Sequence, residues 1–335
     1  MESYLADSLI RDWVSYVATI ASQWHWVQGA GGNASWKTDD TLWVKASGKW
    51  LAFCEQEPMF VPVNLPSLRY QLSTRHIQPF IGDGPLRPSI ETLFHALLPQ
   101  RLVLHLHDLT CLSILIRADA PQILTDILGH HGSWIWVPYI KPGAPLAMAI
   151  QDRFTPNTSV VFLQNHGVII GGNTVSEVQS TLTEINSKLG VAIQSMGGIP
   201  PLQTPPYLTH PSFDKSTDDP QWLTDPTIQQ IAHHHRDKPD TPWAICPDHV
   251  VFLGASAPRY NREDSYIDSQ TAWGLLPSGI MASRHLSMAQ LQQLWAYGVV
   301  LNAHPPQTPP TVLSDAECAD LLNWESEHYR QGLSL

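Results

Sequence analysis

The sequence predicts an α/β protein in two parts, and three patterns support this. Residues 1–198 alternate between segments with helical spacing of apolar residues and short apolar runs typical of buried strands. A proline-rich stretch at 199–213 excludes regular structure and marks a linker. Residues 214–335 again contain helical and strand-like segments, so we expect a smaller α+β extension after the linker.

The first part opens with an amphipathic helix, because Leu9, Trp13 and Val17 recur at helical spacing. A glycine-rich turn follows at 29–33, and Ser89 is a plausible N-cap for a later helix. The predicted strands of the first part span 42–45, 59–63, 102–107, 134–139, 160–163 and 168–170. Its predicted helices span 9–24, 88–98, a segment capped by Asp108, and 174–189. In the extension, the patterns predict a strand at 250–253 and helices at 286–295 and 315–329.

Composition restricts the classes of protein that this chain can be. With 335 residues, 43% hydrophobic and 15% charged, it resembles an ordinary globular protein. The net charge of -11 without a basic stripe argues against nucleic-acid binding, and no apolar stretch is long enough to span a membrane. The start of the chain lacks the pattern of a signal peptide, and four scattered cysteines are typical of reduced thiols. We therefore expect a cytoplasmic protein.

Two histidines, His105 and His107, are the most informative feature. They are two residues apart on a predicted strand, so both imidazoles lie on one face, an arrangement that suits zinc. A third histidine, His166, lies in a tight turn where Gly167 permits positive φ. Three histidines leave a tetrahedral zinc with an open position, as in catalytic sites, and Glu91 is a candidate general base. The alternative is a set of structural core histidines, and spacing alone does not decide between the two.

The glycine-rich turn has two interpretations. Successive backbone N–H groups after Gly31 form an anion-binding nest for a phosphate, or the glycines simply make a sharp helix-to-strand connection. The turn is not a dinucleotide-binding fingerprint, because it follows a helix and lacks the last glycine of that motif.

Four segments, taken together, resemble the class II aldolase/adducin family, and they occur in the same order. These segments are Gly31-Gly32-Asn33-Ala34-Ser35, Pro88-Ser89-Ile90-Glu91-Thr92, His105-Leu106-His107 and Gln164-Asn165-His166-Gly167. The resemblance covers residues 1–198 and implies a three-layer α/β/α fold with a central, mostly antiparallel sheet. It also implies a homo-oligomer, with a tetramer favoured. In the family the matching histidines bind zinc, so the resemblance assigns His105, His107 and His166 as ligands and Glu91 as the residue that exchanges a proton with the substrate.

The resemblance also implies contacts with the substrate. The positions that match phosphate contacts of fuculose-phosphate aldolase-like members are Gly32, Asn33, Ser47, Gly48 and Ser89. Ile90 replaces a second serine of that set, which weakens the case for a phosphorylated substrate. Tyr139 matches a tyrosine that donates a proton across a subunit interface; the alternative is a strand tyrosine whose hydroxyl meets solvent.

The expected function is that of a zinc-dependent aldolase acting on a small ketose, or a ketose 1-phosphate, through a metal-stabilised enediolate. One zinc or another divalent metal per chain is implied. A pentulose-phosphate 4-epimerase or decarboxylase with the same zinc site, and a non-catalytic adducin-like assembly module, remain alternatives. Residues 246–251 and 322–330 resemble the aldolase part of proteins that join a rhamnulose-phosphate aldolase-like region to a short-chain dehydrogenase. Nothing in the sequence resembles the dinucleotide-binding part, so we expect no NAD(P) dependence and a structural extension.

Overall fold

A computed structural model of the chain describes residues 7–78, 86–129, 133–201, 219–237, 241–260, 271–304 and 308–325. The strands are Asn33–Lys37 (β1), Thr41–Lys45 (β2), Phe60–Asn64 (β3), Leu102–Leu106 (β4), Trp134–Val137 (β5), Val160–Leu163 (β6), Gly167–Gly172 (β7), Gln221–Trp222 (β8), Trp273–Leu276 (β9) and Gly279–Ala282 (β10). The helices of the first part are Ser8–Ala21 (α1), Leu65–Thr74 (α2), Thr92–Leu97 (α3), Leu109–Leu115 (α4), Ala120–Leu128 (α5), Ala144–Gln151 (α6) and Val175–Ser195 (α7). Those of the C-terminal half are Pro226–Asp237 (α8), Pro247–Leu253 (α9), Met288–Ala303 (α10) and Asp315–Leu322 (α11).

A mixed sheet forms the centre of the first part. Its strand order is β3-β2-β1-β4-β7-β6-β5, and every pairing is antiparallel except that of β5 with β6. Strand β4 therefore lies in the middle, where His105 is opposite Asn33 on β1 and Ile169 on β7. The predicted mostly antiparallel sheet is confirmed, and the His-x-His motif lies at its centre.

The sheet is covered by helices on both faces. Leu102, Leu104 and Leu106 of β4 belong to an apolar core with α1, α4, α5 and α7, whereas Val103 belongs to a second core with α2, α3 and α6. Because side chains alternate along a strand, His105 lies on the second face with Val103. These two cores confirm the predicted three-layer α/β/α fold.

The C-terminal half has its own small sheet, with strand order β8-β10-β9, and it packs against the first part. Leu109 and Leu112 of α4 share an apolar core with Leu294 and Trp295 of α10. Helix α4 begins immediately after the histidine strand, where Asp108 caps it by accepting a hydrogen bond from the Thr110 N–H (2.9 Å). The C-terminal half is thus attached next to the predicted metal site. Among the described residues, no helix has both the length and the apolar character needed to cross a membrane.

Several element predictions differ from the structure. The helix expected from residue 88 begins at Thr92, with Glu91 at its N-cap position. Residues 250–253, predicted as a strand, form the end of helix α9, because a short apolar run fits a buried helix as well as a buried strand. Residues 202–213, which make up most of the predicted linker at 199–213, lie outside the described residues, as do residues 326–329 of the last predicted helix. The division of the chain at the linker therefore stays a prediction.

Candidate metal centre and active site

Three histidines converge at one end of the central strands. His105 lies in β4, His107 directly follows that strand, and His166 lies in the turn between β6 and β7. One ring nitrogen of each lies within 4.8 Å of those of the other two, and all three side chains are buried. They meet because β4 pairs with β7 in an antiparallel register that sets Leu106 opposite Val168. Sequence spacing alone cannot supply that non-local contact.

Oxygen atoms lie close to one nitrogen of two of the rings. His105 Nδ1 is 3.1 Å from the Val168 carbonyl oxygen, with which it forms a hydrogen bond, and His107 Nδ1 is 2.9 Å from Asp248 Oδ2 in a close ion-pair contact. The Val168 oxygen only accepts, so in a neutral His105 ring Nδ1 carries the proton and Nε2 keeps its lone pair, and the carboxylate beside His107 favours the same tautomer there. Burial, reinforced by the other two histidines, holds the pKa of His105 well below its ordinary value and so favours the neutral ring.

The residues present fit a divalent metal ion. The Nε2 atoms of His105 and His107 are 3.2 Å apart, where two lone pairs repel unless a cation lies between them. Two nitrogen ligands of a tetrahedral zinc are about 3.3 Å apart, given the usual bond lengths. The separation of the two nitrogens therefore matches that of a pair of zinc ligands.

The carboxylate of Glu91 lies beside this cluster. Its Oε2 is 3.5 Å from His105 Nε2, and its Oε1 is 3.4 Å from His166 Nε2. The Asn33 side-chain amide donates a 2.6 Å hydrogen bond to Glu91 Oε2, and the Ser89 hydroxyl accepts one from the Glu91 N–H (3.2 Å). Asn33 and Ser89, expected to contact a phosphate, thus also hold Glu91 in place. The structure brings all four predicted catalytic and metal-binding groups of this site together.

A small cavity adjoins the histidines. It is lined by all five predicted phosphate contacts, namely Gly32, Asn33, Ser47, Gly48 and Ser89. Glu91, His107 and His166 line it as well, and Pro247 and Asp248 of the C-terminal half form part of its wall. Its volume is about 30 Å³, which is room for about two water molecules.

Lys45 also lines this cavity, although the sequence patterns did not single it out. The side chain is 2% exposed, and its ammonium donates hydrogen bonds to the carbonyl oxygens of Ala30 and Lys49, each at 2.7 Å. Lys45 thereby fixes the glycine-rich turn relative to the turn after β2. A lysine in an otherwise apolar strand was the available signal, since lysine is almost never fully buried without a specific reason.

Asp248 is the second residue that sequence reasoning missed. It belongs to the first turn of α9, in a segment for which only a structural role was expected. Its carboxylate is almost fully buried and contacts His107, so the C-terminal half contributes directly to this site.

Tyr139 does not line this cavity. It packs against the apolar cluster of the C-terminal half that includes Leu313 and Leu321, and its hydroxyl is buried without a hydrogen-bond partner among the described residues. The alternative of a hydroxyl in solvent is therefore wrong. Burial, with Glu317 nearby, raises the pKa of Tyr139 above its ordinary value. Its role as a proton donor stays a prediction that requires the C-terminal residues to move away from the hydroxyl.

Comparison of the sequence with models of known families identifies the family of this chain. Residues 13–190 match the model of the class II aldolase and adducin N-terminal domain. The chain therefore belongs to this family.

Two curated relatives and one solved structure extend the comparison. The chain is 31% identical over 189 residues to the uncharacterized oxidoreductase YuxG of Bacillus subtilis (strain 168), covering 48% of this chain and 27% of YuxG. It is 30% identical over 202 residues to methylthioribulose-1-phosphate dehydratase of Bacillus pumilus (strain SAFR-032), covering 53% of this chain and 90% of that protein. The N-terminal class II aldolase domain of a conserved protein from Thermoplasma acidophilum aligns with a TM-score of 0.48 and 26% identity, covering 56% of this chain and 94% of that one. The chain thus spans about a quarter of the first relative's length and most of the second's.

Proposed function

We propose that the protein is a zinc-dependent aldolase that makes or breaks a carbon–carbon bond in a small ketose, with ketose 1-phosphates as the favoured substrate class. One observation carries the proposal: three buried imidazoles converge, and the Glu91 carboxylate lies 3.4–3.5 Å from two of them beside a polar cavity. His105, His107 and His166 would hold one zinc ion per chain, and the same ligands accept other divalent metals.

The chain's own residues supply the proton chemistry. A bound metal acts as a Lewis acid that stabilises negative charge developing on the substrate oxygens. In the cleavage direction, the electron pair of the broken bond stays on the carbon next to the carbonyl, and protonated Glu91 gives that carbon its proton. In the synthetic direction, the Glu91 carboxylate removes the same proton. The Asn33 amide is bound to Oε2 and therefore orients Oε1 for this exchange. The proton of the cleaved hydroxyl goes to a second base, the role predicted for Tyr139.

The polar residues that line the cavity support the favoured substrate class. Ser47 and Ser89 offer hydroxyl donors, and the cavity that lacks a hydroxyl at Ile90 is also lined by the positively charged Lys45. This charge supports an anionic group such as phosphate. A ketose phosphate is much larger than two water molecules, so its entry requires a part of the cavity wall other than Asp248, which contacts His107, to move.

Replacement of Glu91 tests the proposal. Zinc-loaded wild-type protein should release an aldehyde from one or more members of a panel of ketose 1-phosphates and free ketoses. The Glu91→Gln variant should lose about 10²–10⁴-fold in kcat while keeping its zinc, because the amide does not exchange the proton. Glu57→Gln, on an exposed surface residue, is the matched control and should retain full activity. Unchanged turnover of Glu91→Gln with zinc bound contradicts the mechanism.

A dehydratase is the second candidate, because a protein named as a dehydratase of methylthioribulose 1-phosphate aligns over 90% of its length. Dehydration begins with the same proton removal next to the carbonyl, after which the adjacent carbon loses its hydroxyl group as water. The same panel separates the reactions, since dehydration keeps the carbon chain intact.

Metal analysis tests the non-catalytic assembly module: less than about one firmly bound equivalent of divalent metal per chain supports that alternative. Sedimentation velocity tests the expected tetramer.

A further inference from the structure

One acidic side chain of the C-terminal half lies against a histidine of the candidate metal centre. Asp248 lies in the first turn of α9, and its Oδ2 is 2.9 Å from Nδ1 of His107. The side chains are 4% and 8% exposed, so the pair is shielded from solvent. A buried carboxylate is costly unless it is paired, and the His107 ring lies within ion-pair distance of it.

The glycine-rich turn is built around this pair. A Cβ atom added at Gly31 would lie 2.8 Å from both Asp248 Oδ2 and His107 Nδ1, closer than atoms can approach. The same turn is held by α10, because the Gly29 N–H donates a 2.5 Å hydrogen bond to Gln292 Oε1. The glycine at position 31 therefore leaves the space in which the carboxylate and the ring meet.

We propose that Asp248 is a positioning residue of the metal centre, which accepts the Nδ1–H of His107 and so directs the Nε2 lone pair toward the metal. This inference rests on the proposed metal site. Asp248 contacts the nitrogen on the side of the ring away from His105, so it acts through His107. A carboxylate bonded in this way fixes the tautomer and orientation of a ligating imidazole and raises its basicity.

The second ligand provides an internal comparison. His105 donates its Nδ1–H to the Val168 carbonyl, a neutral acceptor fixed by the sheet. His107 lies beyond the end of β4, where no neighbouring strand offers such a carbonyl in the described register. The orientation of His107 is therefore supplied by a residue from the other half of the chain.

Metal binding, measured without any substrate, tests the inference. Metal-free full-length protein is titrated with Co²⁺ and followed by its visible absorption, and zinc affinity is measured by competition with a chromophoric chelator. Asp248→Ala should weaken zinc binding 10–100-fold and alter the Co²⁺ spectrum. Asp248→Asn should weaken it less, because its amide oxygen still accepts the hydrogen bond. Gly31→Ala should weaken it without removing any polar group, since the added methyl group separates the pair.

Asp225→Ala is the matched control. Asp225 caps α8 in the same half of the chain by accepting hydrogen bonds from the Thr227 and Ile228 N–H groups, so its loss should lower stability without changing metal affinity. The inference is overturned if Asp248→Asn and Gly31→Ala bind zinc as tightly as the wild type and show its Co²⁺ spectrum. The same result is then required of Asp248→Ala if that variant folds. A wild-type protein that binds neither ion overturns the proposed function together with it, whereas wild-type binding with unaffected variants overturns this inference alone.

Discussion

His249 makes the stability of the C-terminal half depend on pH. Its ring is 1% exposed and lies between Trp243 and Tyr297, with ring centroids 4.5 and 4.6 Å away. Neither ring nitrogen has a hydrogen-bond partner among the described residues. Burial, together with the nearby His235, lowers the pKa of His249 from 6.5 to about 3.

The sign and size of the effect follow from this shift. The folded protein holds His249 neutral, whereas the unfolded chain binds a proton with the ordinary pKa of 6.5, so acid favours unfolding. The stabilising contribution is fully present above pH 6.5 and is lost as the pH falls toward 3. The loss of stability is about 2 kcal/mol at pH 5 and approaches about 5 kcal/mol below pH 3.

His249→Phe tests this reasoning, because it keeps an aromatic ring against Trp243 and Tyr297 but removes the titrating group. Urea unfolding of metal-free protein, followed by tryptophan fluorescence, gives the free energy of unfolding at pH 8, 7, 6 and 5. Between pH 8 and 5 the variant should lose about 2 kcal/mol less than the wild type. His233→Gln, on an exposed histidine of α8, should follow the wild type. If the free energy of unfolding falls equally with pH in His249→Phe and in the wild type, and His249→Leu gives the same result, His249 does not cause the pH dependence.

Two further predictions concern the turn that carries His166. Gly167→Ala places a Cβ 2.2 Å from the Leu106 carbonyl oxygen and should lower the free energy of unfolding by about 1–3 kcal/mol, measured by urea unfolding. Gly190→Ala, on a helix with its nearest contact at 3.8 Å, is the control and should not destabilise; equal effects would contradict the steric argument. Asn165→Ala removes the side-chain amide that donates hydrogen bonds to two carbonyls of the C-terminal half. It should lower the free energy of unfolding by about 1–3 kcal/mol and speed backbone amide hydrogen exchange around α9. Unchanged exchange there would show that Asn165 does not fasten the two halves.

Most strands and the histidine pair could be predicted because they depend on local patterns, whereas the mostly antiparallel sheet was implied by the family resemblance. Alternation of side chains along β4 is enough to put His105 and His107 on one face. The resemblance of the chain to the family adds His166 and Glu91 to the predicted site. The distances between these groups depend on strand pairing, which brings together residues such as His105 and Val168 that are 63 positions apart. No periodicity contains that information.

Strand β1 and helix α9 were missed for a related reason. Residues 33–37 include polar side chains that resemble a loop, but Ser35 bonds the buried His95 (2.8 Å) and Lys37 donates to the Gln100 carbonyl (2.7 Å). These partners are remote in sequence, so the burial of β1 is not visible in its own composition. In α9, Pro247 at the first turn and Gly254 after the end were the helix signals that outweighed the apolar run.

The C-terminal half contacts the first part at the segments that carry the candidate site. Asp248 meets His107, Gln292 binds the glycine-rich turn at Gly29, and Asn165, next to His166, donates to carbonyls of the C-terminal half. Each contact joins the C-terminal half to a segment that lies outside the strands of the central sheet. Such loops are the part of a fold least constrained by its own core, yet metal binding and proton transfer need their side chains held within a fraction of an ångström. These contacts favour the hypothesis that the C-terminal half supports the loops of the candidate site and does more than cover them.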